Sequence, residues 1–250
     1  MTSRVVWYVS KYVSPRSTNS VGGRGYLLMA EMAKKDCECV IITSDSNHLI
    51  RSLQTLKKMY FTECVDGVQI CWVRTLKYSA AKSFRRILSW LHFEWRLWRL
   101  PKKQFPKPDV VIISSLSLLT ILNGFLLRRR YKCRLIFEVR DIWPLTIIEE
   151  GGFSRFNPLV LALAYIEKLG YKYSDVIVGT MPNLREHVEE VLGYSKKTAC
   201  IPMGINEEAP TILTEFTELY RKKYIPKDKF IIQGQECGIT EPPPIILSEV

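Results

Sequence analysis

The chain has 250 residues, 47% hydrophobic and 24% charged, with a formal net charge of +11. That balance belongs to a globular chain of one large domain, or one and a fraction, with a substantial core. Seven cysteines without a C-x-x-C pair and three scattered histidines exclude a structural zinc site, and no apolar run of 18 residues is there to cross a bilayer. The cysteines read as reduced thiols of a cytosolic protein, and the opening residues do not read as a signal peptide.

Charge is unevenly placed. Residues 1–140 carry 25 Lys/Arg against 9 Asp/Glu, whereas residues 141–250 carry 11 against 16. A basic front half points to an anionic partner: a membrane surface, a nucleic acid or a phosphate-rich substrate.

In chain order, the apolar run Arg4–Val9 predicts a buried strand. A long loop follows and closes on Gly22-Gly23-Arg24-Gly25, and residues 26–33 are patterned as a helix. Strand, glycine turn and helix N-terminus together make an anion-binding device, because free N–H groups and the positive end of the helix dipole face the loop. Arg16 and Arg24 add charge-assisted donors. The pattern is neither G-x-G-x-x-G nor a P-loop, and the alternative is that the glycines only permit a tight helix entry.

Further strands are predicted at Cys39–Thr43, Val68–Val73, Val110–Ser114, Leu135–Val139, Val176–Gly179 and Ala199–Ile201. Helices are predicted over 24–34, 82–100, 116–129, 158–172 and 183–192. Continuous Val/Ile/Leu runs in alternation with helices predict an α/β chain, a doubly wound parallel sheet of Rossmann type. In such sheets ligands collect at the carboxyl ends of strands. That rule gathers Ser10, the Gly22–Gly25 loop, Ser44, Asp45, Ser114, Ser115, Arg140, Asp141, Thr180 and Pro202-Met203-Gly204 around one crevice.

The stretch from Lys82 to Lys103 holds seven basic residues and one acid, Glu94. On a helix, Phe84, Ile87, Leu88, Leu91, Trp95 and Trp98 share a stripe, and Trp90, Phe93, Leu97 and Leu100 form a second band. Two apolar bands exceed what one core contact requires. The stretch reads either as an interfacial membrane helix, touching lipid through Arg85, Trp90, Trp95, Arg96, Trp98 and Arg99, or as a core helix with a solvated basic face. No nucleic-acid-binding module is recognisable.

Taken in order, the Gly22–Gly25 turn, Thr43-Ser44-Asp45, Phe137-Glu138-Val139-Arg140-Asp141-Ile142-Trp143-Pro144 and Ile201-Pro202-Met203-Gly204-Ile205 resemble the amino-terminal domain of a GT-B glycosyltransferase of family 4. Glu149-Glu150-Gly151-Gly152-Phe153-Ser154 and Gly179-Thr180-Met181-Pro182-Asn183 bring the resemblance closest to bacterial N-acetyl-L-fucosamine transferases of O-antigen and capsule assembly. It runs over about residues 4–232.

The resemblance implies retaining transfer of a sugar from a nucleotide-diphosphate sugar to a polyprenyl-diphosphate-linked glycan. The enzyme would sit peripherally on the cytoplasmic face of the inner membrane, on an anionic lipid surface, with no cofactor, no metal and no nucleic-acid partner. Gly22, Gly23, Arg24 and Gly25 would face the donor diphosphate, with Arg16, Asp45 and Thr180 lining the site. Arg140 and Asp141 would be catalytic. Arg140 stands where many members carry histidine, and Asp141 is either a hydroxyl-orienting group or half of a structural Arg–Asp pair. Glu149 and Glu150 would contact the acceptor, or form a carboxylate pair at a helix end.

Residues 1–205 are expected to form the acceptor-side domain, and 206–232 the hinge and first strand of a donor-binding domain. Residues 233–250 read as an aberrant, disordered tail, and the sequence suggests a truncated, inactive enzyme. The alternative is a non-catalytic, membrane-docked binding half that works with a separate donor-domain protein.

Overall fold

The computed structural model describes residues 3–15, 22–46, 56–78, 84–149 and 152–203, together with the backbone of 231–232 and 245–246. Two compact units divide the chain, Met1–Gly204 and Ile205–Val250.

The first unit is an eight-stranded sheet. Its strands are β1 (Arg4–Val9), β2 (Cys37–Ser44), β3 (Tyr60–Val65), β4 (Val68–Val73), β5 (Val110–Ser114), β6 (Arg134–Val139), β7 (Val176–Gly179) and β8 (Thr198–Cys200). They lie in the order β3-β4-β2-β1-β5-β6-β7-β8, and every neighbouring pair is parallel except β3–β4. The helices are α1 (Arg24–Ala33), α2 (Phe84–Arg99), α3 (Thr120–Tyr131), α4 (Leu145–Glu149), α5 (Pro158–Tyr173) and α6 (Leu184–Leu192).

Alternation along β1 splits the core. Trp7 and Val9 enter one cluster with Phe93 and Leu97 of α2, Ile121 and Leu127 of α3, Leu163 and Tyr171 of α5, and Leu184 and Val188 of α6. Val6 and Tyr8 enter the other, with Tyr26, Met29 and Ala30 of α1. Helices therefore cover both sheet faces, which is why the central strands read as unbroken apolar runs.

Local chemistry sets the ends of elements. Asn157 caps α5 by accepting from the Leu159 N–H at 2.9 Å, with Pro158 in the first turn. Gly193 ends α6 in the left-handed region at φ 78°. At the amino edge of the sheet, the Asp109 carboxylate accepts from the Val5 N–H (2.8 Å) and that of Asp175 from the Leu135 N–H (2.7 Å). These two acids tie neighbouring strands together at the end opposite the crevice.

Two elements go beyond the sequence expectation. Strand β3 is the antiparallel edge, joined to β4 by a two-residue turn in which Asp66 and Gly67 both have positive φ. Helix α4 is a five-residue turn directly after the Arg140–Asp141 segment. In the second unit, Ile231–Ile232 pairs antiparallel with Ile245–Ile246. The rest of the expected hinge and tail lies outside the described residues.

Candidate functional site

The chain passes from β1 to β2 on one side of the sheet and later returns to β5 on the other side of β1. This reversal makes the carboxyl ends of β1 and β5 a topological switch point, where the loops diverge and leave a crevice. The segments Ser10–Pro15, Ser114–Ser115 and Arg140–Asp141 open there, and the start of α1 returns to it.

At that start, Gly22 has φ 92°, a left-handed conformation that glycine adopts without strain. The Gly23 N–H donates to the Ser14 carbonyl at 2.7 Å, and no side chain caps α1. Gly25 is required for another reason: a Cβ there would lie 2.7 Å from the Tyr8 ring. Tyr8 in turn donates its hydroxyl to Glu138 of β6. Burial, reinforced by the Glu138 carboxylate, pushes the Tyr8 phenol above its ordinary value.

Arg24 corrects the sequence expectation of a ligand-facing donor. Its Nε pairs with Glu138 Oε1 at 3.2 Å, while Nη1 and Nη2 donate to the Pro202 and Ile201 carbonyls, each at 2.8 Å. The guanidinium thus fastens the start of α1 to β6 and to the exit of β8. Charge near the turn is balanced inside the protein, and the backbone of the helix start has no side-chain cap.

Across the crevice, Ser115 organises the Arg140–Asp141 turn. Its Oγ accepts from the backbone N–H of Arg140 (2.9 Å) and of Asp141 (3.1 Å), and its hydroxyl lies 3.1 Å from the Asp141 carbonyl. The Ser115 carbonyl accepts from the Trp143 indole N–H at 2.7 Å. One serine at the end of β5 thereby holds the turn that leaves β6. Arg140 and Asp141 are half-buried at the crevice edge.

Asp45 is engaged inside the protein. It is 2% exposed, accepts from the Thr75 N–H at 2.8 Å and pairs with Lys77 at 2.9 Å. Its carboxylate joins the loops that follow β2 and β4, so the residue expected to line the site is occupied by protein partners. Beside it Lys11 is fully buried, donating to the Ser46 carbonyl at 2.7 Å, and burial draws its ammonium down to about 7.

Trp90 is also corrected. Its indole N–H donates to the Tyr12 hydroxyl, its ring meets Trp143 edge-on at 5.9 Å, and Arg86 lies over it at 5.2 Å. It lines the crevice side of α2 and is separate from the exposed stripe. Thr180 is half-buried where β7 ends, and Glu149 is exposed at the end of α4. Arg16 and Glu150 lie outside the described residues.

Glu138, Ser115 and Trp143 carry the internal architecture of the site; the sequence placed Ser115 at the crevice without a role and gave Glu138 and Trp143 no place in it. Glu138 and Trp143 flank Arg140–Asp141 in the segment quoted above. Their signal was available as two polar-capable side chains inside an otherwise apolar strand and turn. Beyond the turn, a cavity of about 340 Å³ lies between α4, α5 and α6, its wall mostly apolar from Ile142 and Pro144 to Val191, with Glu167, Lys168 and His187 also lining it. Among the described residues no group of three or more His, Cys, Asp or Glu is placed to hold a metal ion.

The model of Glycosyltransferase Family 4 matches residues 26–209. Sucrose-phosphate synthase from Thermosynechococcus elongatus is similar in fold, with a TM-score of 0.60 and 14% identity over 90% of this chain and 54% of that one. The catalytic domain of starch synthase IV from Arabidopsis thaliana, bound to ADP and acarbose, has a TM-score of 0.52 and 13% identity, covering 84% of this chain and 53% of its own. The chain spans about half the length of these solved enzymes. No curated protein sequence matches it. At such identities the structures speak for the fold alone, a Rossmann-like α/β unit of GT-B type. With three quarters of its length under the family model, the chain belongs to Glycosyltransferase Family 4.

Proposed function

We propose that the chain forms the acceptor-side domain of a retaining glycosyltransferase that moves a sugar from a nucleotide-diphosphate sugar to a lipid-linked glycan, in assembly of O-antigen or capsule. One observation carries this reading: an uncapped helix start and a rigidly held Arg-Asp turn face one crevice at the switch point of the sheet. The N–H groups and dipole of α1 suit a diphosphate. Arg140 would neutralise the charge that develops as the sugar–phosphate bond breaks, and Asp141 would orient a sugar hydroxyl, so neither role needs proton transfer. The apolar cavity that begins at Ile142, immediately after Asp141, supports an acceptor with a hydrocarbon portion. Starch synthase IV, similar in fold, was solved with a nucleoside diphosphate and an oligosaccharide, which suits a nucleotide-activated donor.

The test is a titration of isotope-labelled protein with a uridine-diphosphate N-acetylamino sugar, combined with a transfer assay on a polyprenyl-diphosphate-linked acceptor in which a donor-binding domain is supplied to complete the cleft. The amide signals of Gly22–Tyr26 are expected to shift. Asp141→Asn and Arg140→Ala are each expected to lower transfer by about 10²–10³-fold, the range for removing a pre-positioned charge-stabilising group. Unmoved amides together with parent-level transfer by both variants would overturn the reading.

A further inference from the structure

Helix α2 is apolar on two opposite faces, unlike an ordinary surface helix. Ser89, Phe93, Leu97 and the following Leu100 are buried against the sheet. The opposite, outward face carries Ile87, Leu88, Leu91, Trp95 and Trp98, with Leu91 51% and Trp98 61% exposed. A solvent-facing helix normally presents polar residues there. Arginines border this apolar strip: Arg96 and Arg99 place their guanidinium carbons 5.4 and 5.0 Å from the Trp95 ring, and Arg85 is exposed about three turns earlier.

The strip continues on α3. Both helices bury into the same core cluster on one face of the sheet. Glu94 locks them together, accepting from Thr120 Oγ1 at 2.6 Å and Asn123 Nδ2 at 2.7 Å. Their outward faces are therefore neighbours. On α3 that face holds Leu122, Leu126 (52% exposed), Arg129 and Arg130. Glu94 is the only acid in the two helices, and its carboxylate is turned inward to α3. The two-helix face thus combines indoles, leucines and arginines with no outward negative charge.

We propose that this α2–α3 face docks on an anionic phospholipid surface. The occupant follows from the chemistry. Indole rings and long guanidinium stems both settle in the headgroup zone, the leucines reach the acyl boundary, and the unopposed positive charge selects anionic lipid over a neutral surface. No helix is long and apolar enough to cross a membrane among the described residues, so docking would be in the plane of the interface. The proposal rests for its purpose on the lipid-linked acceptor read above: a domain held on the membrane meets an acceptor confined to it.

The test is vesicle flotation, which needs neither donor nor acceptor and so can fail or succeed independently of transfer. The full chain is expected to float with phosphatidylcholine vesicles containing phosphatidylglycerol, and far less with phosphatidylcholine alone. Trp95→Ser/Trp98→Ser should weaken binding on the order of tenfold or more. Arg99→Glu/Arg130→Glu should lose roughly fivefold for each arginine removed, and lose salt sensitivity with it. Leu122→Ser/Leu126→Ser tests the α3 half, and unchanged thermal midpoints show that each variant is folded. Parent-level flotation by the indole and leucine pairs, or equal binding to neutral vesicles, would overturn the proposal. So would a concentration-dependent dimer abolished by the same substitutions, which would assign the face to a second copy, or displacement of vesicles by RNA.

Discussion

Gly25 and Gly23 look alike in the sequence and do different work. A methyl group at Gly25 would lie 2.7 Å from the Tyr8 ring, whereas at Gly23 it would meet Ser14 at an ordinary 3.6 Å, with φ −82°. Gly25→Ala is therefore expected to cost about 1–3 kcal/mol through overpacking. Gly23→Ala is expected to stay within roughly 0.5 kcal/mol, both read from urea midpoints at constant slope. Equal losses at the two positions would show that the turn itself, rather than the Tyr8 ring, demands glycine. The sequence could announce a glycine turn before a helix because composition alone signals it. It could not announce which glycine supports the packing, because Tyr8 lies seventeen residues away and only the sheet brings it under α1. The charges of Arg24 and Asp45 were hidden for the same reason: they are paired with Glu138 of β6 and with Lys77 in the loop after β4, both remote in sequence.

At the scale of elements, Glu94 is the pin between α2 and α3. Three hydrogen bonds from Thr120, Asn123 and Ser117 favour its ionised form, but burial outweighs them and raises the carboxyl to about 7. The folded protein then binds a proton that the unfolded chain releases, so this contribution to stability is complete below the ordinary value of 4.5 and is lost as pH rises through about 7. The thermal midpoint is expected to fall between about pH 4.5 and pH 7 and then level off, and Glu94→Gln should flatten that slope. A slope unchanged in the variant would place the proton elsewhere.

The same helix shows how far periodicity reaches. Its two apolar bands were legible from spacing, and their number already exceeded one core contact. Which band faces the sheet was not, since Phe93 and Trp95 are equivalent to a hydrophobic pattern and differ only in what β4 and α3 offer them. Strand β3 was missed because its alternating half-exposed residues give a weak apolar signal, although Asp66-Gly67 marks the hairpin.

For the whole molecule, Ser115 links the two halves of the crevice, since it directly follows β5 and holds the turn after β6. Ser115→Ala is expected to leave the unfolding midpoint nearly unchanged and to lower transfer by about 10–10²-fold through misplacement of Arg140 and Asp141, with kcat affected more than KM. Parent-level kcat would show that the turn is held by other contacts. The sequence by itself determined the element order and the parallel class of the sheet, because apolar runs, helix periods and capping residues are local properties of the chain. It also determined which edge of the sheet carries the loops of the crevice, since parallel strands place their carboxyl ends on one edge. Only the tertiary structure decided which charges are consumed inside the protein and which apolar band of α2 is left in water. Those outcomes depend on partners remote in sequence, and burial allots each polar or apolar group to the neighbour that satisfies it.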